Sequence, residues 1–187
     1  MTRDPNQGID LQEEELAIRN ASTLSFILCL LCFGLGYFIL PLWFNFPTEL
    51  VDRLAFALQV SLFALIWVLV GVILVSTGRR KSLEDVGGAA AGPPSARIAV
   101  QVAFLQNTLE QAVLAVGAYL VLATCLSGPW LSLLVTAVIL FGVGRFLFLR
   151  GYQRDYQGAK GRAFGMTLTM LPTLAGYVLA IVLILLP

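Results

Sequence analysis

The sequence predicts an all-α integral membrane protein with five transmembrane helices. Of its 187 residues, 58% are hydrophobic and only 12% are charged, about half the charged share of a soluble domain. A chain this short cannot hide so much apolar side chain from water, so lipid must be the solvent for most of it. The uncharged runs are also long enough to cross a bilayer as helices, which takes about 20 residues each. They are apolar on every face, whereas a membrane barrel alternates polar and apolar positions. Helices close their backbone hydrogen bonds internally, as hydrocarbon demands.

The elements follow in order. Residues 1–22 are an acidic N-terminal segment with Asp4, Asp10, Glu13, Glu14 and Glu15 ahead of the first apolar run. A cleavable signal would open basic instead. Asp10 followed by Glu13 can cap a short helix leading into the membrane; a solvated acidic tail is the alternative. The first span occupies residues 23–48, with its core from Thr23 to Phe44, and the second runs from Leu54 to Gly78, between Arg53 and Arg79. A linker follows at 79–97; its stretch from Val86 to Pro94 is rich in Gly and Ala and reads as flexible. From Ile98 to Gly144 the only charge is Glu110, and the run is too long for one span. Ser127-Gly128-Pro129 divides it at a turn into spans three and four. The fifth span runs from Ala163 to Pro187, with Pro172 expected to bend it.

The basic residues orient these spans. Five crossings put Arg3, Arg19, Arg79, Arg80, Lys81, Arg97, Arg150, Arg154, Lys160 and Arg162 on the N-terminal side, with Arg145 close to it and Arg53 alone opposite. That asymmetry places the N-terminus in the cytoplasm and the C-terminus outside. Trp43 and Trp130 fall at the two outer turns, where indole favours the headgroup layer. The compact form and the lack of eukaryotic targeting signals point to a bacterial inner membrane.

Several functions are disfavoured. A net charge of +1 gives no basis for nucleic-acid binding. The chain has no histidine, hence neither the usual general base nor the commonest metal ligand, and no metal site is expected. Cys29 and Cys32 form a C-x-x-C, but within Leu28-Cys29-Leu30-Leu31-Cys32-Phe33 it lacks the polar setting that activates a thiol. It reads as packing, and with Cys125 the odd count gives no disulfide framework.

The polar residues inside the spans carry the functional information, because each is costly in hydrocarbon. Span three holds Gln101, Gln106, Asn107, Glu110 and Gln111. Asn107 lies three residues from Glu110 and four from Gln111, so the three share a helix face. On span four, Arg145, Phe148 and Tyr152 share another. A carboxylate at the depth of Glu110, near mid-bilayer, should find a partner or be protonated, and Arg145 is the cation within the spans. A Glu110–Arg145 contact is therefore expected, within or between subunits. It either holds helices in register or belongs to a binding site. Asn107, Tyr152 and the basic loop of Arg150, Arg154, Lys160 and Arg162 would suit a small anionic ligand, although basic loops on this side are also a topology signal.

Gln106-Asn107-Thr108-Leu109-Glu110, Gly144-Arg145-Phe146-Leu147-Phe148-Leu149-Arg150-Gly151-Tyr152 and Arg162-Ala163-Phe164-Gly165 together resemble the MAPEG family, the membrane-associated proteins in eicosanoid and glutathione metabolism. That family carries N-x-x-E on its second helix, an arginine followed by Gly-Tyr on its third, and R-x-x-G at the start of its fourth. The similarity covers roughly Leu54 to Pro187, making 54–187 a four-helix membrane domain and residues 23–48 an additional helix. The resemblance implies a homotrimer that binds glutathione as co-substrate between subunits near the cytoplasmic face, with lipophilic electrophiles or hydroperoxides as partners. By position, Asn107, Glu110, Gln111 and Tyr152 would contact glutathione or organise its site. Arg145 would be the buried arginine, and Arg162 the loop arginine that stabilises the thiolate. Ala103 and Leu105 stand where the enzymes carry arginine and glutamine, Gln111 where tyrosine often follows the glutamate, and Phe148 where they carry a further tyrosine.

The sequence thus points to a glutathione-dependent transferase or peroxidase acting on lipophilic substrates at the membrane face. The alternative is a non-catalytic module on the same scaffold that binds lipid or a protein, as one member of the family does. A channel or transporter fits least, since one glutamate and one arginine make a poor conduction path and no internal repeat is present.

Overall fold

The computed structural model describes residues 11–154 and 159–186. Arg3, Asp4, Asp10 and Pro187, invoked above, lie outside the described residues. Five helices run in sequence: α1 (Leu11–Trp43), α2 (Leu50–Arg80), α3 (Ala99–Cys125), α4 (Ser132–Arg154) and α5 (Lys160–Leu185). Each is long and apolar enough to span a membrane, and no strand occurs among the described residues. The chain is an integral membrane protein.

The first helix is unbroken from Leu11. At 1.5 Å per residue its 33 residues reach about 50 Å, so its first turns project beyond the ~30 Å hydrocarbon core. The acidic residues Glu13, Glu14 and Glu15 therefore ride on a rigid extension of α1. The helix packs against α4 and α5 through Ser25 and Cys29, both buried. Among the described residues the cysteines are free.

The break between α3 and α4 falls at Gly128, whose φ of +57° is the left-handed conformation that favours glycine. Its N–H donates to the Pro47 carbonyl at 3.0 Å, tying this turn to the α1–α2 turn. Arg53 caps the same end of the bundle, donating from Nη1 to the Leu126 carbonyl at 2.8 Å. The exposed Trp43 and Trp130 also lie there.

The linker is more ordered than its composition suggests. Asp85 closes its base: Oδ1 accepts the Ser95 N–H at 2.8 Å and Oδ2 accepts the Ser95 hydroxyl at 2.6 Å. Two side-chain oxygens thus do what the Gly- and Ala-rich stretch cannot do for itself.

The most extensive interface joins α4 and α5, and glycine makes it. A Cβ on Gly165 would collide with the backbone N of Phe148 and lie 2.6 Å from the Gly144 carbonyl oxygen. A Cβ on Gly151 would overlap the Gly161 carbonyl. Small residues let helix backbones touch, the main way helices associate where lipid removes the hydrophobic driving force.

Candidate functional site

Backbone contact between α4 and α5 decides where Arg145 goes. Its side chain is fully buried and sealed between three helices. Nη1 donates to Asn107 Oδ1 on α3 at 2.7 Å. Nη2 donates to Thr169 Oγ1 on α5 and lies 3.8 Å from Met166 Sδ. The guanidinium also stands 4.7 Å from the Phe148 ring centroid and 5.7 Å from that of Phe141. Aromatic faces and neutral oxygens therefore hold this cation. Among the described residues no carboxylate lies within ion-pair distance of it, and its Nε has no hydrogen-bond partner.

The expected Glu110–Arg145 contact is not formed. Glu110 is exposed on the outer surface of α3, where its Oε1 accepts from Gln106 Nε2 at 3.3 Å. The reason is helical rotation. At 100° per residue, Glu110 lies about 60° to one side of Asn107 and Gln111 about 40° to the other. Asn107 sits at the edge of the buried face: Phe104, Thr108 and Gln111 point inward, while Gln106 and Glu110 point out. The complete burial of Arg145 leaves no surface for a carboxylate from another copy either. Gln111 is buried with its Oε1 unpartnered, and Thr108 Oγ1 is likewise unpartnered.

From Arg145 a column of rings leads to the end of the bundle that carries the start of α5. Phe148 stacks on Tyr152 with centroids 5.4 Å apart and planes 22° apart. The Arg162 guanidinium lies 4.5 Å from the Tyr152 centroid. The order is Asn107, Arg145, Phe148, Tyr152, Arg162, so two arginines bracket two stacked aromatic rings. Phe148, lacking a hydroxyl, fills the middle of the column through its ring faces, stacked on Tyr152 and facing the Arg145 guanidinium. Tyr152 and Arg162 are half-buried at its open end.

The structure thus gathers Asn107, Arg145, Tyr152 and Arg162, and leaves Glu110 and Gln111 apart. Sequence reasoning missed Thr169 and Met166, which complete the shell of Arg145. The signal was present: Thr169 follows Gly165 by four residues, placing its hydroxyl on the face that meets α4. It also missed Glu14, whose Oε2 accepts the backbone N–H groups of Ala159 at 2.7 Å and Lys160 at 2.8 Å. No local pattern could announce a contact across so much chain.

A separate apolar cavity of about 220 Å³ lies towards the opposite end of the bundle, lined by Phe33, Tyr119, Leu122, Leu134, Pro172 and Gly176 among others. Three of the helices that build the polar column, α3, α4 and α5, also wall this cavity, and Phe33 of α1 completes it.

In comparison with known proteins, the family model described as MAPEG family matches residues 55–182. No curated protein and no solved structure matches the chain.

Proposed function

The chain belongs to the MAPEG family, and from that premise we propose that it binds glutathione at the cytoplasmic membrane face and conjugates it through its sulfur to lipophilic electrophiles or uses it to reduce lipophilic hydroperoxides. The observation that carries this reading is Arg162, held 4.5 Å from the Tyr152 ring at the open end of the column. A guanidinium there lowers the pKa of a nearby thiol by favouring the thiolate. With no histidine in the chain, the thiol proton passes to water rather than to an imidazole. The thiolate then forms a carbon–sulfur bond with an electrophile, either displacing a leaving group that departs with its electron pair or adding to an activated double bond whose carbanion takes a proton from water. With a hydroperoxide it attacks the terminal oxygen, the O–O bond breaks and the alcohol leaves, giving a sulfenic acid from which a second glutathione displaces water to form the disulfide. Tyr152 supports Arg162, and the buried Arg145 with Asn107 fixes the base of the column.

A homotrimer completes the arrangement. Glu110 and Gln106 face outward from α3, and an ionised carboxylate turned to hydrocarbon is costly. Packing against another copy would cover it and place Glu110 beside a glutathione bound between subunits. The basic N-terminal face then lies in the cytoplasm of a bacterial inner membrane.

The test is glutathione binding to detergent-purified oligomer by calorimetry, with Arg162→Ala alongside. Saturable binding that weakens at least about tenfold in the variant is expected. No binding at several millimolar by a folded oligomer would overturn the reading. The apolar cavity favours a second one, a non-catalytic lipid-binding or protein-interaction module, in which Asn107 is committed to Arg145 and the column is purely structural. Co-purified lipid in a protein that ignores glutathione would support it.

A further inference from the structure

The start of α5 is poorly equipped to hold itself together. Its N-cap residue is Ala159, which makes no side-chain cap, and alanine is among the weakest residues for that position. Gly161 follows within the first turn and favours fraying. The first four N–H groups of a helix have no partner inside it, so acceptors must come from elsewhere. Arg162 stands in this same turn, its N–H donating to the Ala159 carbonyl at 3.2 Å.

The acceptor comes from the extension of α1. One oxygen of Glu14 accepts both the Ala159 and Lys160 N–H groups, and Glu13 pairs with Lys160 Nζ at 3.3 Å. Further along, Ser25 Oγ donates to the Phe164 carbonyl at 3.2 Å, and Ser22 and Thr167 share a hydrogen bond of 3.3 Å. Contacts therefore recur down one face of α1 and register it against α5. A carboxylate at a helix N-terminus also meets the positive end of the helix dipole.

We propose that Glu14 is a positioning residue for Arg162: the additional helix caps α5 in trans and so holds the arginine on Tyr152. This deepens, and for its catalytic meaning rests on, the glutathione reading. Glu14 does not touch the reacting atoms; it acts through the first turn of α5. The extra helix then has a role beyond membrane anchoring, and the cap carries that role.

The test compares Glu14→Ala, Glu14→Gln and Glu13→Gln in the full-length oligomer. The readouts are amide hydrogen exchange across 159–165, glutathione affinity, and the pH at which bound glutathione ionises, read from thiolate ultraviolet absorbance. Glutamine keeps an acceptor oxygen and loses the charge, so it separates capping from electrostatics. Glu14→Ala should lose protection over 159–165, bind glutathione roughly five- to tenfold more weakly, and ionise it at higher pH. Glu14→Gln should retain most of each property. Glu13→Gln, which removes an exposed ion pair, should behave as wild type. Unchanged exchange in Glu14→Ala overturns the proposal, and so does lost protection with glutathione bound and ionised as in wild type. If Glu14→Ala fails to assemble, Glu14→Asp, whose carboxylate is one methylene shorter, decides: reduced protection over 159–165 supports the cap, and protection equal to that of wild type overturns it. Wild-type protein that binds no glutathione sinks the function proposed above, and the exchange comparison alone then decides the cap.

Discussion

The two ends of the bundle are walled by the same three helices, α3, α4 and α5, yet they are built on opposite terms. Towards the start of α5, glycines bring α4 and α5 into backbone contact, and the space left is filled by one buried arginine, its oxygen partners and a stack of rings. Towards the other end, Pro172 and Gly176 face Leu122, Leu134 and Tyr119 across an apolar cavity of about 220 Å³. The first end is specified by hydrogen-bond geometry, the second by side-chain volume. Directional contacts tolerate little displacement and apolar ones tolerate more, so the end with the arginines should be the rigid one.

Replacing two glycines of α5 breaks the comparison most severely. Gly165→Ala sets a methyl group against the Phe148 backbone, which cannot yield as a side chain does. We expect a loss of about 3 kcal/mol or more, or failure to assemble, seen in thermal unfolding in detergent. Gly176→Ala places its methyl 3.3 Å from Leu122 Cδ1, the end of a flexible side chain, so it should change stability by less than about 1 kcal/mol. Equal effects at the two sites would remove the distinction drawn between the two ends.

Thr169→Val sharpens the comparison. It keeps shape and removes one oxygen partner of Arg145. A hydrogen bond to a charged group contributes about 1.5–3 kcal/mol, and a loss in that range is expected. Glutathione binding should weaken with it, because the column loses its base. A stable Thr169→Val protein with unaltered binding would show that Arg145 and Arg162 are not linked through the rings.

The smallest effect lies outside the bilayer. The Ser82 hydroxyl, then the hydroxyl and N–H of Ser95, hold the Asp85 carboxyl below the usual carboxylate range. A carboxyl depressed in the folded state contributes stability above its unfolded value of about 3.9. That contribution is lost as pH falls through the lower folded value. Amide protection over 82–98 should therefore persist at neutral pH and fall in acid below about pH 4, while the helices stay intact. Asp85→Asn should loosen the linker already at neutral pH, and a linker equally protected in both proteins would mean that Asp85 does not close it.

The five helices were legible because hydropathy and length suffice to identify a span, and Gly128 marked its own turn. The family motifs were legible too, since Asn107, Arg145, Tyr152 and Arg162 keep their spacing whatever their neighbours do. The partner of Arg145 was not. Charge logic chose Glu110, and a rotation of about 60° around α3 put that carboxylate on the outside.

The sequence by itself determined that this chain lives in lipid, how many times it crosses, and which family it joins. Those properties depend on composition and order along the chain. Only the tertiary structure decided that Arg145 is held by Asn107, Thr169 and aromatic rings rather than by a carboxylate, and that Glu14 caps α5. A helix uniformly apolar in sequence carries almost no information about its rotation about its own axis. For α4 and α5 that angle is set by where their backbones approach, at Gly144, Gly151 and Gly165, and the partnership of Arg145 with Thr169 follows from it.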